Sequence, residues 1–230
     1  MAEEAGNAAQ AVAPGVWILR LRGVNAYAVA GPDGTVLVDA GNPGDGPRIL
    51  GMLEAAGVPA PRRILLTHAD VDHAGGAREI VRRTGAELLA SAGEADVLGG
   101  KASPKLFRRL ARIATGRMRC SGRLVDGEEV SGLRVVATPG HTAGHVCLWR
   151  EDGAVLFAGD ALSVREGTAR IPPAFFTEDR RAAENSLARL AALAPALVLP
   201  GHGSPLRDAA ETLRAASAAS PAVRTPVSDG

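Results

Sequence analysis

The sequence predicts an α/β fold in which two β-sheets pack face to face and helices cover their outer sides. Short apolar strands followed by amphipathic helices occur in both halves of the chain, in a similar order. Of the 230 residues, 46% are hydrophobic and 22% are charged, as in an ordinary globular protein with one large core. This pattern alone also fits other α/β layouts.

A single domain is predicted over residues 15–218. Residues 1–14 are rich in alanine without periodicity and predict a flexible N-terminal arm, and residues 219–230 predict a disordered tail. The first residues are acidic, unlike a signal peptide, and no run approaches the ~18 apolar residues of a membrane span. A cytoplasmic protein without a membrane partner is expected, and two cysteines are too few for a disulfide framework.

In the first half, apolar runs bounded by turn residues predict strands, and apolar residues three and four positions apart predict helices. The predicted strands are residues 16–21, 25–30, 35–41, 62–67 and 86–90. The predicted helices are residues 46–56, which Gly57 ends, and residues 72–84.

The second half repeats this order. Its predicted strands are residues 132–140, 145–150, 154–160 and 196–203, and its predicted helices are residues 179–193 and 205–218. Between the halves, residues 98–119 place apolar residues on one helical face and basic residues on the rest. They predict either a surface helix in solvent or a lid helix that offers cations to an anionic substrate.

All five histidines lie in short segments that directly follow apolar strands. They are His68, His73, His141, His145 and His202. Asp160 lies in the same kind of position, and glycine and proline residues, which permit tight turns, surround these segments. Ligand sites of α/β folds form at such strand ends, and imidazole with carboxylate suits zinc, iron or manganese. The sequence therefore predicts a metal site.

Four of these segments, "THADVDH", "TPGHTAGH", "FAGD" and "LPGHG", resemble, in this order, the motifs of the metallo-β-lactamase-fold hydrolases. The upstream stretch "NAYAV…VLVDAG" is also similar to that family, and the resemblance covers residues 15–207. It implies a four-layer αβ/βα sandwich, with two mixed sheets face to face and a two-metal site at the edge between them.

The resemblance also implies which residues hold the metals. His68, Asp70 and His141 would bind one ion, and Asp72, His73 and His202 would bind the other. Asp160 would bridge the two ions, and Asp72 and Asp160 are the predicted catalytic residues. Asp39 and His145 match residues that support the ligands without binding the metals.

Asp70 departs from the usual pattern of the family, which has histidine at this position. Some relatives carry a carboxylate there, including iron-dependent redox proteins, so Asp70 is expected to be a ligand. An anionic ligand makes the metal cluster less positive and favours iron or manganese more than histidine does. The alternative is that Asp70 only supports the site and that the first metal is weakly held or absent.

These features predict a hydrolase in which a hydroxide held by the dinuclear site attacks a small ester, thioester, lactone or amide. The expected cofactors are two divalent metal ions, zinc first, with iron or manganese as alternatives. "TPGHTAGH" is similar to the glyoxalase II branch, but no long helical extension follows residue 218 to hold a glutathione thioester. The alternative function is iron-dependent redox chemistry on oxygen, nitric oxide or persulfide.

The expected partner is a small-molecule substrate, and the protein is expected to be a monomer or homodimer. A net charge of +1 argues against nucleic acid as a partner. Phe175 and Phe176 are predicted to pack in the core rather than to line the pocket. The substrate-binding residues stay unassigned, although four basic residues are candidates for contacting a substrate carboxylate: Lys101, Arg108, Arg109 and Arg165.

Overall fold

A computed structural model describes residues 8–101 and 116–219 of the protein. The first eight strands are β1 (Gln10–Ala13), β2 (Val16–Arg20), β3 (Asn25–Gly31), β4 (Gly34–Val38), β5 (Arg63–Leu65), β6 (Glu87–Ala90), β7 (Gly122–Arg123) and β8 (Glu129–Val130). The remaining strands are β9 (Leu133–Ala137), β10 (Val146–Arg150), β11 (Val155–Gly159), β12 (Ser163–Arg165), β13 (Thr168–Arg170), β14 (Leu197–Pro200) and β15 (Leu206–Arg207). The helices are α1 (Asp45–Ala55), α2 (Val71–Ala74), α3 (Ala77–Thr84), α4 (Ala92–Gly99), α5 (Arg180–Ala192) and α6 (Ala209–Ala218).

The strands form two large mixed sheets and one small hairpin. The first sheet has the order β1 to β7, antiparallel from β1 to β4 and parallel from β4 to β7. The second sheet has the order β15-β14-β11-β10-β9-β8, in which only β11 and β14 run parallel. The hairpin consists of β12 and β13.

Buried apolar residues form three clusters, one between the two sheets and one between each sheet and its helices. Successive side chains of a strand point to opposite faces, so Ile18 of β2 enters the core between the two sheets while Leu19 faces the helices. Helices α1, α3 and α4 pack on the outer face of the first sheet, and α5 and α6 pack on that of the second. The order is helix, sheet, sheet, helix, which confirms the predicted fold class.

The N-terminal residues differ from the prediction. Residues 10–13, expected within a flexible arm, form β1 and pair antiparallel with the edge strand β2. The backbone N–H of Ala9 also donates to the carbonyl oxygen of Met52, 3.0 Å away. An alanine-rich stretch carries no periodic signal, so this pairing depends on the free edge that β2 presents. Residues 1–7 lie outside the described part of the chain.

The helix predicted over residues 72–84 is divided into α2 and α3 at Gly75 and Gly76. The loop after β4 passes so close at this point that a Cβ atom at Gly75 would collide with Pro43, and one at Gly76 with Ala40. The predicted final helix also begins later, at Ala209, because Leu206 and Arg207 form β15.

Other predictions fall largely outside the described residues. The basic segment 98–119 includes residues 102–115, and the predicted tail includes residues 220–230, neither of which the structure describes. Within the described ranges, every helix is too short or too polar to cross a membrane.

The sheet directions gather several strand ends at one edge. Strands β9, β11 and β14 run in one direction in the second sheet, because β10 is antiparallel to both β9 and β11 and β11 is parallel to β14. Strand β5 ends at the same edge in the first sheet, as the contacts between the segments that follow these strands indicate. Polar side chains from both sheets therefore meet there.

Candidate metal centre

The predicted metal-binding side chains lie together at this edge, in the segments that follow β5, β9, β11 and β14. Three groups of three residues each place one ligand atom per residue within 4.8 Å of the others. The groups are His68 with His73 and Asp160, His68 with Asp70 and His141, and Asp72 with His73 and His202. The last two match the two ligand sets that the sequence predicts.

The first set, called the His141 set, consists of His68, Asp70 and His141. Asp70 Oδ2 lies 3.2 Å from His141 Nε2 and 3.6 Å from His68 Nε2. Asp70 directly precedes α2 with an extended backbone, which turns its side chain back toward His68. The carboxyl group that departs from the family pattern therefore faces both imidazoles.

The second set, called the His202 set, consists of Asp72, His73 and His202. His202 Nε2 lies 3.3 Å from Asp72 Oδ2 and 3.4 Å from His73 Nε2. The His202 side chain is 35% exposed and the His141 side chain 4%, so the His202 set is the more accessible of the two.

Asp160 lies between the two sets. Its Oδ2 atom is 3.5 Å from His141 Nε2 and 3.4 Å from His202 Nε2, and its Oδ1 atom is 3.3 Å from His73 Nε2. One carboxylate thus reaches members of both sets, as a bridging ligand requires.

Hydrogen bonds at Nδ1 leave Nε2 of three imidazoles facing the cluster. His202 Nδ1 donates to the carbonyl oxygen of Gly23 at 2.6 Å, since a carbonyl can only accept. His73 Nδ1 lies 2.8 Å from Asp39 Oδ2 and donates to it. His68 Nδ1 lies 3.0 Å from the Thr67 hydroxyl. Such contacts select the tautomer that presents a free Nε2 lone pair to a metal.

Asp39 supports His73 directly and His68 through Thr67. Its Oδ1 accepts from the backbone N–H of Thr67 at 2.8 Å, and its Oδ2 accepts from the Thr67 hydroxyl at 2.9 Å. Because the Thr67 proton goes to Asp39, the Thr67 oxygen is left to accept from His68 Nδ1–H. Asp39 has a left-handed backbone with φ of 60°, a conformation that aspartate adopts more readily than most non-glycine residues. The predicted supporting position of Asp39 agrees with this geometry.

His145 is not placed to bind a metal. Its Nε2 accepts from the backbone N–H of Asp160 at 3.1 Å, so Nδ1 carries the proton and donates to the Thr138 hydroxyl at 2.8 Å. Both ring nitrogens are therefore used. The imidazole fixes the backbone of Asp160, which is consistent with its predicted supporting position.

The donor set fits metal ions. His68 Nε2 and Asp160 Oδ1 are buried and form no hydrogen bond among the described residues, although both face the cluster. A buried polar atom without a partner costs about 1–3 kcal/mol, and a metal–ligand bond would remove that cost. Imidazole nitrogen with carboxylate oxygen is the ligand combination of zinc, iron and manganese sites.

Attraction between imidazoles and carboxylates in the cluster shifts the pKa values of both. Burial lowers the pKa of His73, but the carboxylates of Asp160 and Asp39 raise it well above its usual value. Burial likewise lowers the pKa of His202, but Asp160 and Asp72 raise it to about 10. Burial raises the pKa of Asp72, but the contacts with His202 and His73 lower it to about 2. Metal binding, which needs neutral imidazoles, would therefore release protons.

A cavity of about 360 Å³ opens beside the cluster. Five of the predicted ligands line it, and the other lining residues are Val71, Ser163, Arg165, Pro172, Pro173 and Phe176. The prediction that Phe175 and Phe176 pack in the core is wrong, since they are 71% and 47% exposed. Phe176 lines the cavity instead, together with Pro172 and Pro173 of the same turn. Of the candidate cations, Arg165 lines the cavity, Lys101 does not, and Arg108 and Arg109 lie outside the described residues.

Sequence reasoning missed four polar residues that contact the site: Asn25, Thr67, Glu94 and Thr138. Two of them carry a local signal. Asn25 is a polar residue at the start of an otherwise apolar strand, and Glu94 completes the spacing Ser-x-x-Glu that is typical of a helix start.

Comparison with known proteins agrees with this geometry. The sequence model of the metallo-beta-lactamase superfamily matches residues 19–202. The chain is 30% identical to "Probable metallo-hydrolase YflN" of Bacillus subtilis, over 84% of this chain and 86% of that protein. It is 35% identical to the hydroxyacylglutathione hydrolase of Rhodospirillum rubrum, over 60% of this chain and 47% of that enzyme.

A solved structure of TTHA1623 in a di-iron-bound form superposes with a TM-score of 0.67 and 29% identity, over 82% of this chain and 91% of that one. The family match spans the segments that carry all the predicted ligands, and the solved relative has the same layered fold around a two-metal site. The chain belongs to the metallo-β-lactamase superfamily.

Proposed function

We propose that the protein is a metal-dependent hydrolase that uses two divalent ions to cleave a small ester, thioester, lactone or amide. The observation that carries this proposal is the pair of three-residue sets that share Asp160 at the wall of a cavity. The family to which the chain belongs and its similarity to a probable metallo-hydrolase support hydrolysis as the reaction class.

The His141 set would hold one ion and the His202 set the other, with Asp160 contributing to both. When bound, two such ions supply an acidified water and a Lewis acid that stabilises developing negative charge. Neither cysteine is placed as an alternative nucleophile, because Cys147 is buried and its burial raises the thiol pKa to about 12, and Cys120 does not line the cavity.

The side chains themselves orient the site and manage its protons. The imidazoles of His68, His73 and His202 are fixed through Nδ1, so each presents Nε2 in one direction. Asp72 lines the cavity, and its low pKa keeps its carboxylate ionised at neutral pH. It is placed to accept a hydrogen bond from a water or a substrate group in the cavity.

The cavity suggests a small substrate with an apolar part next to the scissile bond. Phe176, Pro172 and Pro173 give the cavity an apolar lining beside the ligands, and Arg165 adds one cation. The similar hydroxyacylglutathione hydrolase is a thioesterase by name, which makes thioesters the first group of substrates to test. The match covers about half of that enzyme, so its substrate is not assumed for this chain.

Asp70 bears on metal identity. Together with Asp72 and Asp160 it gives the cluster three carboxylates, one more than a histidine at position 70 would leave. Harder oxygen ligands favour iron or manganese over zinc. The second candidate function, iron-dependent redox chemistry, is favoured by this carboxylate and by the di-iron-bound relative.

One experiment tests both functions. The metal content of the purified protein is measured together with its activity on a panel of esters, thioesters and lactones, and its colour is recorded. Hydrolysis that a chelator abolishes and that zinc or manganese restores supports the hydrolase. A coloured iron protein without hydrolytic turnover contradicts it and supports the redox alternative.

The same experiment on variants tests Asp70. Asp70→Ala is expected to lose about one metal per chain, because the His141 set then has two ligands besides Asp160. Asp70→His is expected to shift the preference toward zinc. Asp152→Ala, which removes an exposed carboxylate that does not line the cavity, is the matched control and should bind metal like the wild type. Unchanged metal content in both Asp70 variants would show that Asp70 is not a ligand.

A further inference from the structure

Helix α4 begins with a capping sequence whose glutamate is used in an unusual way. Ser91 precedes the helix, and its hydroxyl oxygen accepts from the backbone N–H of Glu94 at 3.4 Å. In the usual capping box the glutamate side chain would return to the backbone N–H of the serine. Here the Glu94 carboxyl group points away from the helix and toward the metal centre.

Glu94 contacts the two loops that carry the His141 set. Its Oε2 atom accepts from the backbone N–H of Ala69 at 2.8 Å, and its Oε1 atom accepts from the Thr142 hydroxyl at 2.7 Å. Ala69 lies between His68 and Asp70, and Thr142 follows His141. Glu94 is only 3% exposed, so both hydrogen bonds are shielded from water.

Ser91 makes a parallel contact with the second loop. Its hydroxyl donates to the carbonyl oxygen of Gly144 at 2.7 Å. The loop passes so close to the helix that a Cβ atom at position 144 would lie 2.7 Å from Glu94 Oε1 and 2.8 Å from Ser91 Oγ. Glycine at position 144 therefore permits this approach, and the start of α4 is fastened to the loop at two points.

The loops that Glu94 joins follow strands of different sheets. The loop with His68 and Asp70 follows β5 of the first sheet, and the loop with His141 follows β9 of the second. The residues of the His141 set are therefore close only while the two sheets keep their spacing at this edge. A ligand set that is held in place before the metal arrives binds it more tightly, because less order has to be gained on binding.

We propose that Glu94, assisted by Ser91, is a positioning residue that fixes the separation of the two loops and so determines how tightly the His141 set binds its metal. This inference rests on the proposed two-metal site. It concerns the His141 set, because the two residues that Glu94 contacts, Ala69 and Thr142, are the sequence neighbours of its three members.

The test measures metal affinity rather than turnover. Metal-stripped protein is titrated with Zn²⁺ in competition with a chromophoric chelator, for the wild type, Glu94→Ala, Glu94→Gln and Thr142→Val. Glu94→Ala is expected to weaken one of the two zinc affinities by roughly 10- to 100-fold, the range for partners that orient ligands, and to leave the other unchanged. The amide oxygen of Glu94→Gln can still accept one of the two hydrogen bonds, so this variant should lose less zinc affinity than Glu94→Ala.

Two controls separate positioning from general stability. Glu184 is a buried glutamate on α5 whose described hydrogen bond is to Arg180 Nε at 3.1 Å, so Glu184→Gln should bind both zinc ions like the wild type. Thr142→Ser keeps the hydroxyl and should restore the affinity that Thr142→Val loses. The thermal stability of each metal-free variant is measured in parallel.

The outcomes are distinct. If Glu94→Ala and Glu94→Gln bind both zinc ions as the wild type does, or if both affinities fall together in proportion to lost folding stability, the inference is overturned. If Glu94→Ala does not fold, Glu94→Gln and Thr142→Val decide in the same way. A wild type that binds two zinc ions but hydrolyses nothing contradicts the proposed function and leaves the role of Glu94 standing. If the wild type hydrolyses its substrate but Glu94→Ala keeps both zinc affinities, the proposed function is supported and the role of Glu94 is contradicted.

Discussion

The two ligand sets share Asp160 but differ in exposure. In the His141 set the side chains of His68 and His141 are almost completely buried, whereas in the His202 set those of Asp72 and His202 are about one third exposed. Two residues of each set line the cavity, Asp70 and His141 from one and Asp72 and His202 from the other. The difference in exposure predicts that the His202 set exchanges its metal more easily.

The two sets also differ in which neighbouring residues support their loops through hydrogen bonds. Helix α4 supports the His141 set through Glu94, while the His202 loop is supported by β3 and by the carbonyl oxygen of Gly23. Asn25 Nδ2 donates to the carbonyl oxygens of Pro200 at 3.1 Å and Gly203 at 2.9 Å, and the Tyr27 hydroxyl donates to Pro200 at 2.6 Å. Each set therefore depends on polar residues that are distant in sequence and bind no metal.

The largest effect is expected from removing the group that the sets share. Asp160→Ala should abolish tight binding of both metals and lower kcat/KM by more than the roughly 100-fold that marks the upper end for residues outside the ligand set. Elemental analysis and hydrolysis assays measure the two quantities, with Asp152→Ala as the control on an exposed carboxylate. Retention of one tightly bound metal would mean that the sets are independent.

Removing one imidazole from each set should show whether the two sets fill separately. His141→Ala and His202→Ala should each lose about one metal per chain. In metal-free protein at neutral pH, both substitutions should lower the free energy of unfolding by about 1–3 kcal/mol, His141→Ala because it empties a buried position and His202→Ala because it removes a protonated imidazole that pairs with Asp72 and Asp160. Urea denaturation and elemental analysis measure the two quantities, and loss of both metals in either variant would contradict separate sets.

Loosening the support of the His202 loop should affect one set only. Asn25→Ala removes two hydrogen bonds and should lower the free energy of unfolding by about 1–3 kcal/mol. It should also weaken one zinc affinity by about tenfold and leave the other unchanged. Asn185→Ala, at an exposed position of α5, is the control. Equal weakening of both affinities would show that β3 supports the whole centre rather than one loop.

The smallest effect is expected from Tyr27→Phe, which leaves Pro200 with its hydrogen bond from Asn25. At neutral pH this substitution should lower the free energy of unfolding by about 1 kcal/mol. Burial raises the pKa of Tyr27, although the side-chain contact with Asn25 opposes this, so the folded phenol stays protonated where the unfolded one, with a pKa of about 10, does not. The unfolded state then binds fewer protons, and stability should fall as pH rises above about 10.

This pH dependence is measured by urea denaturation between neutral and alkaline pH, and it should be weaker in Tyr27→Phe. Tyr27 is the single tyrosine of the chain, so phenolate absorbance reports on it alone. A phenolate signal that rises at an ordinary tyrosine pKa in folded protein would contradict its burial.

The sequence predicted an α/β fold because apolar runs mark strands such as β3 and β11 and a helical periodicity marks α1 and α5. The four-layer arrangement itself came from the family resemblance. It predicted where His68, His141, Asp160 and His202 lie because each follows a strand end. It did not predict Glu94, whose capping role is local but whose hydrogen bonds are to residues 25 and 48 positions away. Such contacts depend on the distance between two sheets, which periodicity does not encode.

The predicted burial of Phe175 and Phe176 was wrong for a different, local reason. Their composition predicts burial, but the turn that carries them is closed by its own contacts, with the Thr177 hydroxyl donating to Pro172 and Pro173. Those hydrogen bonds close the turn, and both rings are exposed, with Phe176 lining the cavity. Local hydrogen bonding prevailed over hydrophobicity there.

The turn at residues 172–177 is joined to the His141 loop through main-chain hydrogen bonds. The backbone N–H of Glu178 donates to the carbonyl oxygen of His141 at 3.2 Å, and that of Asp179 to the carbonyl oxygen of Gly140 at 2.9 Å. Main-chain bonds do not depend on which side chains the turn carries. Residues 175 and 176 can therefore be exchanged, in evolution or by engineering, while the position of His141 is kept. The apolar surface that residue 176 presents to the cavity can change at this turn without rebuilding the loop that carries His141.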